Sequence, residues 1–177
     1  QLQPIARLDR GRLLARVQGI AALGTTPIAY SLAQVAADLG DATGPQMVVL
    51  VTDGREECGG DPKAAVAALK AKGLDVRVNI VGFALTDQAA QRQLADAAAL
   101  TGGTYVNAKD DSALKDAIDA AMRVPFEVHD SSGALVATGQ VGREALKLPE
   151  GTFTVTVQTA ERPITIPGVR VDANRES

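Results

Sequence analysis

Five side chains in this sequence, Thr26, Asp53, Glu56, Glu57 and Asp61, are of the types that hold a hard divalent cation. Mg²⁺ takes oxygen ligands and keeps several waters, so a carboxylate and a hydroxyl at one spot would form a partial ligand set. Asp53 directly follows the apolar run Met47-Val48-Val49-Leu50-Val51, and Thr26 precedes a helix-like stretch. Both can therefore reach one end of a sheet. The plainer reading of the same residues is local. Asp53-Gly54 is a common turn dipeptide, Thr26 a common N-cap, and Glu56, Glu57 and Asp61 are carboxylates of a solvated loop.

Other chemistry finds little support. Cys58 is the only cysteine, so no disulfide can form within the chain, and the only histidine, His129, lies about seventy positions away. A catalytic thiol would need a histidine beside it. His129 reads as a half-exposed strand residue and Ser131-Ser132-Gly133 as a turn. No Gly-rich segment with a Lys links a strand to a helix, which removes a phosphate-binding loop. A net charge of −3 without any basic run gives no attraction to nucleic acid. No apolar run is long enough to span a bilayer. The chain opens on Gln1 rather than Met, which reads as a start inside a longer product.

The elements that must position these residues follow from periodicity. Asp9 can cap a helix carrying Leu13, Leu14, Val17 and Ile20. Gly24-Thr25-Thr26-Pro27 breaks the chain. A second helix then shows Ile28, Leu32, Val35 and Leu39 on one stripe and ends at Gly40, with Thr26 as its cap and Pro27 in its first turn. Met47–Val51 is β-prone without alternation, as in a strand covered by helices on both faces. Pro62 to Lys72 is an Ala-rich helix, Val76 to Phe83 a strand, Asp87 to Leu100 another helix, and Thr104–Val106 a short strand. Asp110 or Asp111 then caps a helix to about Met122. This alternation predicts βα units in a doubly wound, mostly parallel sheet. Aromatics are only 3%, so its core must be Val, Leu, Ile and Ala. After Pro125 the pattern changes to short β-prone runs separated by turn signals at Ser131–Gly133, Gly139, Gly142 and Pro149-Glu150-Gly151. Phe153, Val155 and Val157 alternate with threonines. The expected organisation is an α/β domain at 1–123 and a small antiparallel, β-sandwich-like domain at 124–177.

In an open α/β sheet ligands gather beyond the carboxyl ends of the strands, which is where Thr26 and Asp53 would meet. There the wording becomes specific. Gly24-Thr25-Thr26-Pro27-Ile28-Ala29-Tyr30-Ser31-Leu32, Val48-Val49-Leu50-Val51-Thr52-Asp53-Gly54 and Glu57-Cys58-Gly59-Gly60-Asp61-Pro62 resemble segments of bacterial von Willebrand factor type A (VWA) domains. Val81-Gly82-Phe83, Gln93-Leu94 and Thr101-Gly102-Gly103-Thr104-Tyr105 are similar to the family's later strands and helix. The resemblance runs over residues 5 to 122. After Pro125, Gly133–Ala137 and Leu148–Val155 resemble small carboxypeptidase-regulatory or PEGA-type β-modules.

The resemblance implies a metal-ion-dependent adhesion site with Thr26 and Asp53 among its ligands. Its other element, Asp-x-Ser-x-Ser, is absent, since no Asp here is followed by Ser at both +2 and +4. What remains matches the family's fourth to sixth strands, so the resemblance implies a domain whose first strands and N-terminal half lie elsewhere. It also implies an upstream cysteine for Cys58, and with that disulfide an exported, periplasmic or cell-surface bacterial protein. The implied function is a non-enzymatic binding module. It would use Mg²⁺ (or Mn²⁺ or Ca²⁺), held weakly in this chain, to bind a protein ligand that offers an acidic side chain. The alternatives are a structural VWA module without a metal, or a subunit of a metal-chelatase or ATPase-linked assembly.

Overall fold

A computed structural model describes residues 9–21, 24–40, 45–141, 145–159 and 162–172. The first two helices are α1 (Arg10–Gln18) and α2 (Ile28–Leu39). There follow β1 (Gln46–Thr52), α3 (Pro62–Ala71), β2 (Val76–Phe83), α4 (Gln88–Ala99), β3 (Tyr105–Ala108) and α5 (Asp111–Ala121). Four strands complete the chain: β4 (Pro125–His129), β5 (Leu135–Gln140), β6 (Gly151–Val157) and β7 (Ile164–Val171).

The strands form two separate sheets, a parallel one in the order β1-β2-β3 and an antiparallel one in the order β5-β4-β6-β7. The expected mixed α/β class is what forms. Aspartates start four of the helices: Asp9, Asp61, Asp87 and Asp110 each accept from first-turn amides. Asp61, which reads from the sequence as a loop carboxylate, is therefore the cap of α3.

β2 is central and covered on both faces. On one side Val76, Val78 and Ile80 pack with Ile28 and Leu32 of α2, Val66 and Leu69 of α3, and Leu94, Ala97 and Ala98 of α4. On the other, Val81 packs with Ala108 and with Ala117 and Ala121 of α5. Burying a Val or Leu stabilises by about 1.5–3 kcal/mol, so these two layers hold the parallel sheet together. The small residues of α4 let it lie close to the strands. Gly103 shows how close the chain runs elsewhere, because a Cβ there would fall 1.9 Å from the carbonyl oxygen of Val78.

Several expectations need correction. Val48–Val51 are not buried on both faces. They are half-buried, and Val51 is 45% exposed. The reason is that α5 lies over β2 and β3, and of β1 only Val49 packs partly against its cluster. α1 forms as expected, but none of its residues is buried, and Leu14, Val17 and the following Ile20 stay exposed. Thr26 does not cap α2; the cap position falls to Pro27, without a side-chain hydrogen bond. Gly139 is no turn but a residue of β5, lying so close to Phe126 that a Cβ would touch its ring at 2.5 Å. Gly142 lies outside the described residues. The second unit is one four-stranded sheet among the described residues, with Val128 and Phe153 buried but Ile164 and Ile166 exposed.

Among the described residues no further strand pairs with the outer edge of β1. A flat Val-rich strand with open amides and carbonyls favours pairing with another molecule. The 177-residue chain is expected to dimerise or aggregate through this edge. Size-exclusion chromatography with light scattering checks it, and a monodisperse monomer with protected β1 amides would overturn the expectation. Gly103→Ala should lower unfolding free energy by about 1–3 kcal/mol, because backbone must move to admit the methyl group. Urea denaturation reads this, and an unchanged midpoint would mean that the β2–β3 approach relaxes freely.

Candidate functional site at the carboxyl end of the parallel sheet

β1 delivers Asp53 to the rim of the sheet through a tight turn. The Thr52 hydroxyl, buried, donates to the Gly54 carbonyl (2.9 Å) and accepts from the Gly54 amide (3.3 Å). Thr52 thus anchors the turn while Asp53 faces solvent. Thr26 arrives from the start of α2. Its carbonyl accepts from the amides of Ile28 and Glu57, each at 3.1 Å. Its hydroxyl donates to Glu57 Oε2 at 3.4 Å and lies 3.1 Å from where a Cβ on Gly54 would be. The Thr26 hydroxyl is thereby placed against the residue that follows Asp53.

The part that holds this rim together is Glu56. One carboxylate oxygen accepts from the Ala29 amide at 2.7 Å; the other accepts from Cys58 (2.8 Å) and Gly60 (3.4 Å). Burial pushes its carboxyl up, and the surrounding amides pull it down by more, leaving it below the ordinary glutamate value. Gly60 closes against α2, since a Cβ there would meet the Ala29 methyl at 2.5 Å. Cys58 is exposed, with its sulfur 3.0 Å from the Thr25 hydroxyl. Loop 52–60 and segment 25–29 are thus fastened by several independent links.

Of the five residues singled out by type, the structure commits Glu56 to backbone amides and Asp61 to the Lys63 amide (2.9 Å). Thr26, Asp53 and Glu57 remain at the rim. The role of Glu56 is invisible in the sequence because its partners lie 27 positions upstream as well as beside it. The glycine pair after Cys58 was the one available hint that the loop must pack closely. Asp87, at the head of α4, is likewise spent on the Ala89 and Ala90 amides, and it faces Arg55 across 3.9 Å. His129 is the half-buried strand residue expected, with Nε2 3.2 Å from Glu127 and Nδ1 3.2 Å from the Gly133 carbonyl oxygen.

Thr26 and Asp53 suit a hard cation in kind, as hydroxyl and carboxylate oxygens, and fall short in number. Among the described residues no three His, Cys, Asp or Glu side chains are grouped to hold a metal.

A sheet of this order with an Asp at its carboxyl rim and a Thr beside it defines a class. The von Willebrand factor type A domain family matches residues 6–120, and the chain belongs to that family. It is similar to the Uncharacterized protein YwmD of Bacillus subtilis (strain 168), 42% identical over 87 residues, which cover 48% of this chain and 38% of YwmD. It is also similar to the Uncharacterized protein YwmC of the same organism, 38% identical over 84 residues, 46% of this chain and 36% of YwmC. The chain thus covers little more than a third of the length of these relatives. VWA membership fits a protein-interaction module. No helix among the described residues is long and apolar enough to cross a membrane.

The lowered carboxyl of Glu56 predicts that the rim is pH-sensitive. A carboxyl whose folded value lies below its unfolded one stabilises above the unfolded value, and that stabilisation is lost as pH falls through the folded value. The window therefore opens below 4.5, the ordinary value for this group. Glu56→Gln should raise hydrogen exchange at the Ala29, Cys58 and Gly60 amides at neutral pH by about tenfold, leaving β2 protected. Unchanged exchange at all three would contradict the role given to this carboxylate.

Proposed function

We propose that this chain carries the ligand-docking rim of a divalent-cation-dependent protein-binding module and is not an enzyme. One observation supports the reading above others. The links from Glu56 to α2 bring the Thr26 hydroxyl against Gly54, beside the exposed Asp53, while Glu56 and Asp61 are consumed by backbone amides and a helix cap. A Mg²⁺ ion at this rim would be held by the Asp53 carboxylate and the Thr26 hydroxyl. When bound, it supplies a positive charge that an acidic side chain of a protein partner can ligate. The chain's own residues orient: Thr52 aims Asp53 outward, and Glu57 accepts from the Thr26 hydroxyl.

An exported or cell-surface location goes with this reading. Its support is Cys58, exposed beside the rim and available for a disulfide with a cysteine outside this chain. In the same reading residues 124–177 are a spacer domain of the carboxypeptidase-regulatory or PEGA kind, appended to a VWA domain at 1–123.

Two donors cannot satisfy a six-coordinate ion, so Mg²⁺ or Mn²⁺ should bind this chain only weakly. Isothermal titration checks this, and a dissociation constant in the low micromolar range would show that no further protein ligands are needed. In a protein that supplies the remaining ligands, Asp53→Ala should abolish cation-dependent partner binding and leave the circular dichroism spectrum unchanged. Asp53 is exposed, and its removal opens no cavity. Loss of the folded spectrum would favour a structural VWA module without a metal.

A further inference from the structure

We infer that Arg77 locks the antiparallel sheet onto the amino end of the parallel sheet, making residues 125–172 a spacer of fixed orientation at the pole opposite the Thr26–Asp53 rim. Arg77 is the second residue of β2 and pairs with Met47, while Thr52, next to Asp53, pairs with Gly82. Five residue steps separate the two positions along β2, about 16 Å at the strand rise. Arg77 lies on the side of the sheet that α5 covers, two places from Asn79, whose amide donates to the Ala121 carbonyl at the end of α5 (2.6 Å).

From there the Arg77 guanidinium crosses to the other sheet and donates from Nη2 to the Thr159 carbonyl at 3.0 Å, just beyond β6. The crossing runs through a crevice of about 100 Å³ lined by Pro45 and Met47 of one unit, Val124 of the connector, and Val157 and Thr159 of the other. Its walls are mostly apolar, so they pack along the arginine stem. Arg77 Nε is buried there without a hydrogen-bond partner. That orphaned donor is a cost the contact must offset, and the charged hydrogen bond from Nη2 together with the apolar walls opposes it.

The connector is a second, independent constraint. Only Met122, Arg123 and Val124 separate α5 from β4. The Met122 and Arg123 amides still bond back into α5, and the Val124 carbonyl accepts from the Val141 amide in the other unit (3.0 Å). Pro125 then fixes φ at the first position of β4. A linker of this length, held at both ends, leaves little freedom once Arg77 closes the far side.

Arg77 is a positioning residue, so its test must read orientation rather than fold. In Arg77→Met, which keeps an apolar stem and removes every donor, tryptic cleavage after Arg123 and hydrogen exchange at 157–159 should rise about tenfold. Exchange at 26–29 and 54–60, on the opposite pole, should not change. Arg77→Ala should loosen the same segments at least as much. Wild-type cleavage and exchange in Arg77→Met would place the lock in the apolar walls and overturn the role given to the guanidinium. Loosening that spreads equally to the rim would show a general loss of stability and overturn it too. Should Arg77→Ala fail to fold, the Met variant alone decides.

Discussion

One carboxylate, that of Glu56, fastens the start of α2 to the loop after β1, and it makes more of the links across the candidate rim than any other side chain. Its two oxygens collect amides from Ala29, Cys58 and Gly60, groups that would otherwise sit without partners at a helix start and in a tight loop. The position of Thr26 is a consequence. The segment before α2 is also held, among the described residues, by the contacts of Thr25 and Thr26 with Cys58 and Glu57. The glycines of the loop serve the same constraint. Gly59 takes a positive φ of 74° that few side chains tolerate, and Gly60 must lie against Ala29.

Behind the rim, the parallel sheet is unevenly covered. β2, the strand that separates the rim from Arg77, is covered on both faces. β1 is only partly covered on either face, with Val48 and Leu50 half-buried on the α2–α3 side and Val51 in contact with water on the other. The rim is therefore built where a strand covered on both faces and a half-covered one end side by side. An interaction surface gains from that arrangement, because Asp53 is displayed without being packed.

Regular elements were legible in the sequence because each carries its own local signal. Val76–Phe83 was readable to the residue as a β-prone segment between two helix-like stretches. Asp9 marked a helix start as a cap ahead of an apolar stripe; of the two candidates Asp110 and Asp111 the structure uses Asp110, and Asp87, read as the first helical residue, proves to be the cap of α4. The stripe Ile28, Leu32, Val35 and Leu39 faces the core as its period required. Side-chain roles set by tertiary neighbours were not legible. Thr26 has the composition of a helix cap, yet its hydroxyl turns to Glu57 across 31 positions. Glu56 and Glu57 look alike in the sequence; one is consumed by amides and the other faces solvent. Gly139 reads as a turn, but Phe126 on the neighbouring strand needs the space a side chain would fill. The exposure of Val51 could not be foreseen because an apolar run does not say how far the covering helix extends.

The central claim is that Thr26 and Asp53 together face a cation at the rim. Mn²⁺ titration followed by amide nuclear magnetic resonance tests it most directly, because a paramagnetic ion broadens nearby signals even when it binds weakly. The account predicts broadening centred on the amides of Thr26, Asp53, Gly54 and Glu57, with β2 and the antiparallel sheet unaffected. Uniform broadening across the surface, or a centre at Asp61, Asp87 or Glu127, would contradict it.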